Sequence, residues 1–219
     1  MSLLEFARGP GMTWATLIMV GGITMRIVAL LARRRAKDLS PAREGSPSRL
    51  AGALRTIVRR NWPARPFREQ ATLPTAIAYT FHLGLLIILV LGTPHILFFS
   101  NIVGFGWPGL PKGIIDVVSA VTLAALIVAL IRRVTHPVRR MLSDADDYIT
   151  WGVTMLPVLT GLLATTPLGG RYEQLLAVHM LTVEALMIWF PFGKLMHAFF
   201  WLPSRASTGA RFAHRGART

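Results

Sequence analysis

The sequence predicts an all-α integral membrane bundle of five transmembrane helices, amino terminus outside and carboxy terminus in the cytoplasm. Three observations predict it. Of the 219 residues 53% are hydrophobic, and the mean hydropathy is +0.49, too apolar for an ordinary soluble domain. The chain nonetheless carries 24 Lys/Arg against 10 Asp/Glu, a formal charge of +14. So much charge coexists with such hydropathy only if long uncharged runs alternate with arginine clusters. Finally, those arginines crowd into alternate connections, as the cytoplasmic loops of membrane proteins do. The absence of cysteine excludes disulfides, zinc-thiolate sites, protein-ligated iron–sulfur clusters and cysteine nucleophiles within this chain.

Crossing about 30 Å of hydrocarbon takes roughly 20 apolar residues in a helix. Five windows qualify, at 11–32, 73–98, 113–131, 148–166 and 172–202. The first reads as an anchor rather than a cleaved signal. Only Glu5 and Arg8 precede it as charges, its apolar run is too long, and no small-residue cleavage site stands before the arginines. The connection 33–72 holds 11 Lys/Arg, and within it Leu50, Leu54, Ile57, Val58 and Trp62 are set against Arg49, Arg55, Arg59 and Arg60. That spacing predicts a short interfacial amphipathic helix. Its charge suits anionic lipid or an acidic cytoplasmic partner, and the positive-inside rule accounts for it without nucleic acid.

The loop 132–147 adds Arg132, Arg133, Arg139 and Arg140, and the carboxy-terminal end adds Lys194, Arg205, Arg211, Arg215 and Arg218. The other side holds only Arg8, Lys112 and Arg171, with Arg26 placed to snorkel from the inner end of the first helix. No internal repeat links the five segments, against the pattern of an inverted-repeat transporter. Residues 1–202 form the transmembrane domain. Residues 203–219 form a basic cytoplasmic tail, flexible in isolation and ordered by a partner.

Six histidines are present, and His82, His95, His179 and His197 fall inside or at the rim of spans. At membrane depth such side chains are functional candidates. On one straight helix His179 and His197 would be five whole turns apart, on one face and about 27 Å apart along the axis. The second helix runs antiparallel to the fifth, so depth pairs His82 with His197 on the inner side and His95 with His179 on the outer. Two stacked bis-histidine pairs in a bundle core are what two b-type haems need. Thirteen residues from His82 to His95 turn a straight helix by roughly 220°, so the outer pair requires a kink, which Pro94 permits and for which Gly92 leaves room. Glu184, also within a span, would relay protons or accept a hydrogen bond. His136 serves the inner loop or a subunit contact, and zinc or di-iron sites lack the carboxylates they want nearby.

These residues carry a resemblance. Phe81-His82-Leu83-Gly84, the stretch from Arg132-Arg133 through Pro137-Val138-Arg139 to Ala145-Asp146, Gly161-Leu162-Leu163, and Pro191-Phe192-Gly193-Lys194-Leu195-Met196-His197 resemble the gamma subunit of respiratory nitrate reductase. That subunit is a membrane dihaem cytochrome b. Its wider family includes subunits of sulfur-metabolism and heterodisulfide-reductase-like complexes. The likeness runs from the first helix to about residue 202, and the 18-residue spacing of His179 and His197 agrees with it. One departure stands out: where that subunit has its remaining outer ligand, this chain has Gly92, with His95 three residues further on.

The resemblance implies five helices with the amino terminus outside, in the bacterial cytoplasmic membrane. It implies His82 and His197 as ligands of the inner haem b and His179 with His95 as ligands of the outer one. It also implies quinol oxidation or quinone reduction near the outer haem, beside Lys112, with Trp107 reading as an interfacial aromatic. Such a subunit passes electrons between the quinone pool and a cytoplasmic-side iron–sulfur subunit. A separate catalytic subunit of the same complex acts on the terminal substrate. The alternative from another class is a haem-free transporter or assembly scaffold whose histidines and Glu184 relay protons or satisfy helix contacts.

Overall fold

Helix dominates because the sequence leaves the backbone no other way to satisfy its amides in an apolar setting. The computed structural model describes residues 1–33, 38–166 and 171–217. Arg34, Arg35, Lys37 and Arg218, counted above among the basic residues, lie outside the described residues.

Helix α1 (Leu3–Ala32) opens on a capping box, with Ser2 Oγ accepting from the Glu5 N–H at 3.2 Å and the Glu5 carboxylate accepting from the Ser2 N–H at 2.6 Å. It therefore begins well before the apolar window at residue 11. Pro10 has no N–H to give, and the helix absorbs the gap as one wide π turn, Ala7–Gly11, rather than breaking. The expected amphipathic helix is α2 (Arg49–Arg59), capped by Ser48, whose hydroxyl accepts from the Ala51 N–H.

The window 73–98 is two helices, α3 (Arg68–Leu91) and α4 (Thr93–Val103), parted at Gly92, which is extended. Pro94 sits in the first turn of α4, where its missing N–H costs nothing. After α5 (Lys112–Thr135) and the short α6 (Pro137–Met141), Asp144 and Asp147 form a second capping box that opens α7 (Ala145–Thr165). Helix α8 (Tyr172–Trp189) is followed by α9 (His197–His214).

Four helices, Leu3–Ala32, Arg65–Leu91, Lys112–Thr135 and Ala145–Thr165, are long and apolar enough to cross a membrane. A fifth span results if Tyr172–Trp189 and Lys194–His214 are taken together, although they meet at 74°. The chain is a multi-pass helical membrane protein.

Two sequence expectations need correction. Residues 172–202 do not form one straight helix, so His179 and His197 do not share one helical face. Pro191 has no N–H and is fully buried, against Gly22 of α1; beyond it Gly193 is extended, and the chain leaves in a new direction. Nor does a loose tail begin at residue 203, because α9 runs on through Pro203 to His214 and packs against α2.

Helix α3 packs on α5, α5 on α7, α7 on α8, and α8 on α1. Helices α3 and α8 make at most slight contact among the described residues; His82 of α3 meets His197 at the start of α9, and His95 of α4 meets His179 of α8. The α3–α5 contact is close because Gly84 lies against buried Thr122, whose own hydroxyl is committed to the Val118 carbonyl at 2.7 Å. Leu83, Leu86, Val117 and Val121 point outward and are exposed, as side chains bathed in lipid tails are.

Because a Cβ at residue 84 would strike Thr122, Gly84→Val is expected to destabilise the bundle by roughly 1–3 kcal/mol. The outward Leu83→Val change should stay within about 0.5 kcal/mol. Thermal unfolding of the two variants in one detergent checks the contrast.

Candidate functional site

The inner pair is built from α3 and from the first residue of α9. The rings of His82 and His197 stand with centres 6.0 Å apart and planes at 82°. Each is oriented by its own helix: His82 Nδ1 lies 2.7 Å from the Ala78 carbonyl and His197 Nδ1 lies 2.7 Å from the Lys194 carbonyl. A carbonyl only accepts, so both Nδ1 atoms carry hydrogen, and in the neutral tautomer this leaves the Nε2 lone pair for a ligand. Phe81 stacks beside His82 with ring centres 4.3 Å apart.

The outer pair repeats the device with different parts. His95 and His179 stand 6.1 Å apart with planes at 46°. His95 reaches back across the break at Gly92, and its Nδ1 donates to the Ile88 carbonyl at 2.9 Å. The break lets His95 reach His179 of α8 while His82 reaches His197 at the start of α9. Trp107 and Leu110 complete the break, their N–H groups donating to the Val90 and Leu91 carbonyls at 2.7 and 2.9 Å. His179 Nδ1 lies 3.2 Å from Thr160 Oγ1. That hydroxyl gives its proton to the Leu156 carbonyl at 2.8 Å and so accepts from the imidazole. A Cβ on Gly161 would press on the His179 ring at 3.0 Å, which fixes glycine there.

Metal-binding histidines are commonly held in this way, one nitrogen oriented and the other free. Two imidazoles on opposite sides of one metal, each bonded at about 2 Å, have ring centres a little over 6 Å apart. Both pairs match. Among the described residues no group of three or more His, Cys, Asp or Glu could hold a metal ion. Each pair therefore offers two donors only, and an ion seated there needs equatorial ligands that the protein does not supply. A tetrapyrrole supplies four.

The space differs between the two levels. A cavity of about 780 Å³ surrounds His82 and His197, within the roughly 300–1,000 Å³ of small-molecule and cofactor sites. The cavity beside His95 and His179 measures about 110 Å³. The donor set fits a haem at both levels, while the space fits it at the inner one. Arg132, Arg133, Arg139 and Lys194 line the inner cavity. Arg133 Nη1 is paired with Asp147 at 3.0 Å, and Lys194 Nζ bridges Asp144 and Asp147 at 2.8 and 2.7 Å. Two stretches distant in sequence, Arg132 to Asp147 and Pro191 to His197, thus meet at one rim.

The remaining candidates are placed as follows. Lys112 is exposed and pairs with Asp116 at 2.5 Å, and Asp116 lines the outer cavity with Ser119 and Tyr172. Glu184 is buried against Gly11 in the π turn of α1, its Oε1 without a partner. His136 caps α6, and His214 is buried on the Ser40 carbonyl at 2.9 Å. Sequence reasoning missed Thr160, Asp116 and Trp107's hydrogen bond. Thr160 and Trp107 act on elements far along the chain or across a break, which no local pattern announces; the Lys112–Asp116 pair at i,i+4 was the one local signal.

No family model matches the chain, and no solved structure matches it. It is similar to a protein of Nitratidesulfovibrio vulgaris (strain Hildenborough), 28% identical over 230 residues that take in 99% of this chain and 97% of that one.

Hydrogen bonds from Lys194, then from the Asp147 backbone, hold the Asp144 carboxyl below its ordinary 3.8. A lowered carboxylate adds stability that is complete above the ordinary value and is lost as pH falls through the folded one. Lys194→Met is therefore expected to lower the thermal midpoint at neutral pH, and the gap to wild type should close on acidification below about pH 3.8. Melting curves across pH check this.

Proposed function

We propose that this chain is the membrane cytochrome b subunit of a respiratory-type redox complex in the bacterial cytoplasmic membrane. It carries electrons between the quinone pool and an iron–sulfur partner docked at its arginine-rich, cytoplasmic end. A catalytic subunit of the same complex handles the terminal substrate. The observation that supports this most is the two imidazole pairs, His82–His197 between α3 and the start of α9 and His95–His179 between α4 and α8, each with ring centres about 6 Å apart and each Nδ1 within hydrogen-bond reach of an oxygen.

His82 and His197 would hold the inner haem b, and His95 and His179 the outer one. When bound, such a group supplies reversible one-electron chemistry. The protein's part is to keep the four imidazoles neutral and aimed, to keep water from them, and to offer Arg132, Arg133 and Arg139 to the carboxylates of the group. At the other end, Lys112 and Asp116 stand at the mouth of the outer cavity. There Lys112 would donate to a quinone oxygen and Asp116 would take the proton a quinol gives up. In this reading proton release and electron exit lie at opposite ends of the bundle.

Pyridine haemochrome analysis, with a reduced-minus-oxidised spectrum of the chain in its native complex, is expected to give two b haems per chain. His82→Ala and His197→Ala should each remove one haem, and His95→Ala and His179→Ala should each remove the other. One haem, lost with His82→Ala and kept with His95→Ala, would confine the cofactor to the inner cavity. None would return the bundle to a haem-free transporter or scaffold.

A further inference from the structure

The most extensive helix contact in the molecule lies at its arginine-rich end, between α2 and α9. It is made by small residues. Gly52 and Gly209 meet backbone to backbone, with Thr56 and Ala213 closing the contact; Thr56, at 1% exposure, is the most buried side chain of α2. Helix α9 leaves α8 at 74°, so if α8 stands along the membrane normal, α9 lies nearly in the membrane plane and carries α2 with it.

The depth of this pair is fixed by a second set of contacts. The Asn61 carbonyl, just beyond α2, accepts from the Tyr79 hydroxyl at 2.5 Å, and Trp62 stacks on the Tyr79 ring. Tyr79 is about eleven residues into α3, roughly 16 Å along its axis, inside its apolar stretch. Arg205 of α9 donates to Asn61 Oδ1 at 2.9 Å and covers the Trp201 ring. The end of α2 therefore sits at the level where α3 is already apolar, rather than hanging below the bundle.

On α2 itself, Leu50, Leu54 and Val58 form one stripe at i, i+4 and i+8, and they are 70%, 56% and 71% exposed. The stripe faces away from the buried Gly52 and Thr56. At 100° per residue, Arg55 borders it on one side, Arg59 lies further round the helix, and Arg60, just past the end of α2, lies over the Phe212 ring of α9 on the other side. Trp62 and Trp201, aromatic rings of the kind that gather at bilayer interfaces, are half exposed near its end.

We propose that the α2–α9 pair is a platform for anionic lipid: the stripe Leu50, Leu54 and Val58 sinks among the acyl chains of the adjoining leaflet while Arg55, Arg59 and Arg60 bind lipid phosphates. Charge complementarity selects anionic lipid over an apolar protein partner. Arg55 borders the stripe, Arg59 and Arg60 stand further round the same end of the helix within reach of lipid phosphates, and no acid lies on α2. The proposal does not rest on what the imidazole pairs hold.

The cysteine-free chain makes the test clean. Spin labels on Leu54→Cys and Val58→Cys, with Ser48→Cys as an aqueous control, are compared in full-length protein reconstituted into phosphatidylglycerol-rich and pure phosphatidylcholine vesicles. Greater collision with oxygen than with a water-soluble nickel complex at residues 54 and 58, more marked in the anionic vesicles, is expected. Arg55→Gln with Arg59→Gln should then lower the inserted-to-free ratio of α2 by roughly tenfold or more. Labels that read aqueous in both vesicles would overturn the proposal and assign the stripe to a protein partner. Equal insertion in both would overturn its anionic selectivity. The far-ultraviolet spectrum and melting midpoint of each variant separate loss of insertion from loss of fold.

Discussion

A helix that breaks inside a bilayer must find new partners for the carbonyls it frees, because no water is there to take them. This chain breaks twice at membrane depth, at Gly92 and at Phe190–Gly193, and the arrangement of the histidines follows from how each break is healed. At the first, Val90 and Leu91 are served from the following loop by the Trp107 indole and the Leu110 N–H, while the Ile88 carbonyl, which keeps its bond from the Gly92 N–H, takes the His95 imidazole as a second donor. At the second, the Trp189 carbonyl accepts from the Phe192 and Gly193 N–H groups, and His197 begins the new helix with its Nδ1 on the Lys194 carbonyl. Each break thus stands beside an imidazole that turns back onto a nearby carbonyl, which leaves its Nδ1 engaged.

The same constraint separates what the sequence revealed from what it concealed. Hydropathy and arginine placement located the apolar segments, and antiparallel depth alone brought His82 toward His197 and His95 toward His179. Face arithmetic along straight helices failed for both pairs. It missed the 74° turn before α9, and it set His82 and His95 on different faces. Proline and glycine at 92, 94, 191 and 193 marked where helices are weak, but the new direction is chosen by tertiary contacts, such as Pro191 lodged on Gly22 of α1. Thr160 was silent for a related reason, since a threonine that accepts from an imidazole nineteen residues away looks like any helical threonine until α7 and α8 are packed.

Charge in this molecule is divided by task. At the rim of the inner cavity, arginines and Lys194 are interleaved with Asp144 and Asp147, and this joins α5, α7 and the break before α9 into one rigid lip. On α2 the arginines have no such carboxylates and border exposed leucines. Paired cations fasten protein to protein, and unpaired ones at the edge of an apolar stripe address something outside the chain. One net charge of +14 thus covers two physical uses that composition cannot distinguish.

The two imidazole pairs also order events in time. Each joins a ring from the first half of the chain to one from the last fifth, so the outer pair cannot exist until α8 has been synthesised and folded back, and the inner one not until α9 has begun. Until then α3 and α5 can settle against one another with His82 and His95 unpartnered. Whatever needs both inner rings can be captured only after the final turn at Gly193 has formed. Biogenesis of the site is therefore a late, lateral closure, and a chain truncated after α7 would insert its spans and yet never be able to mature.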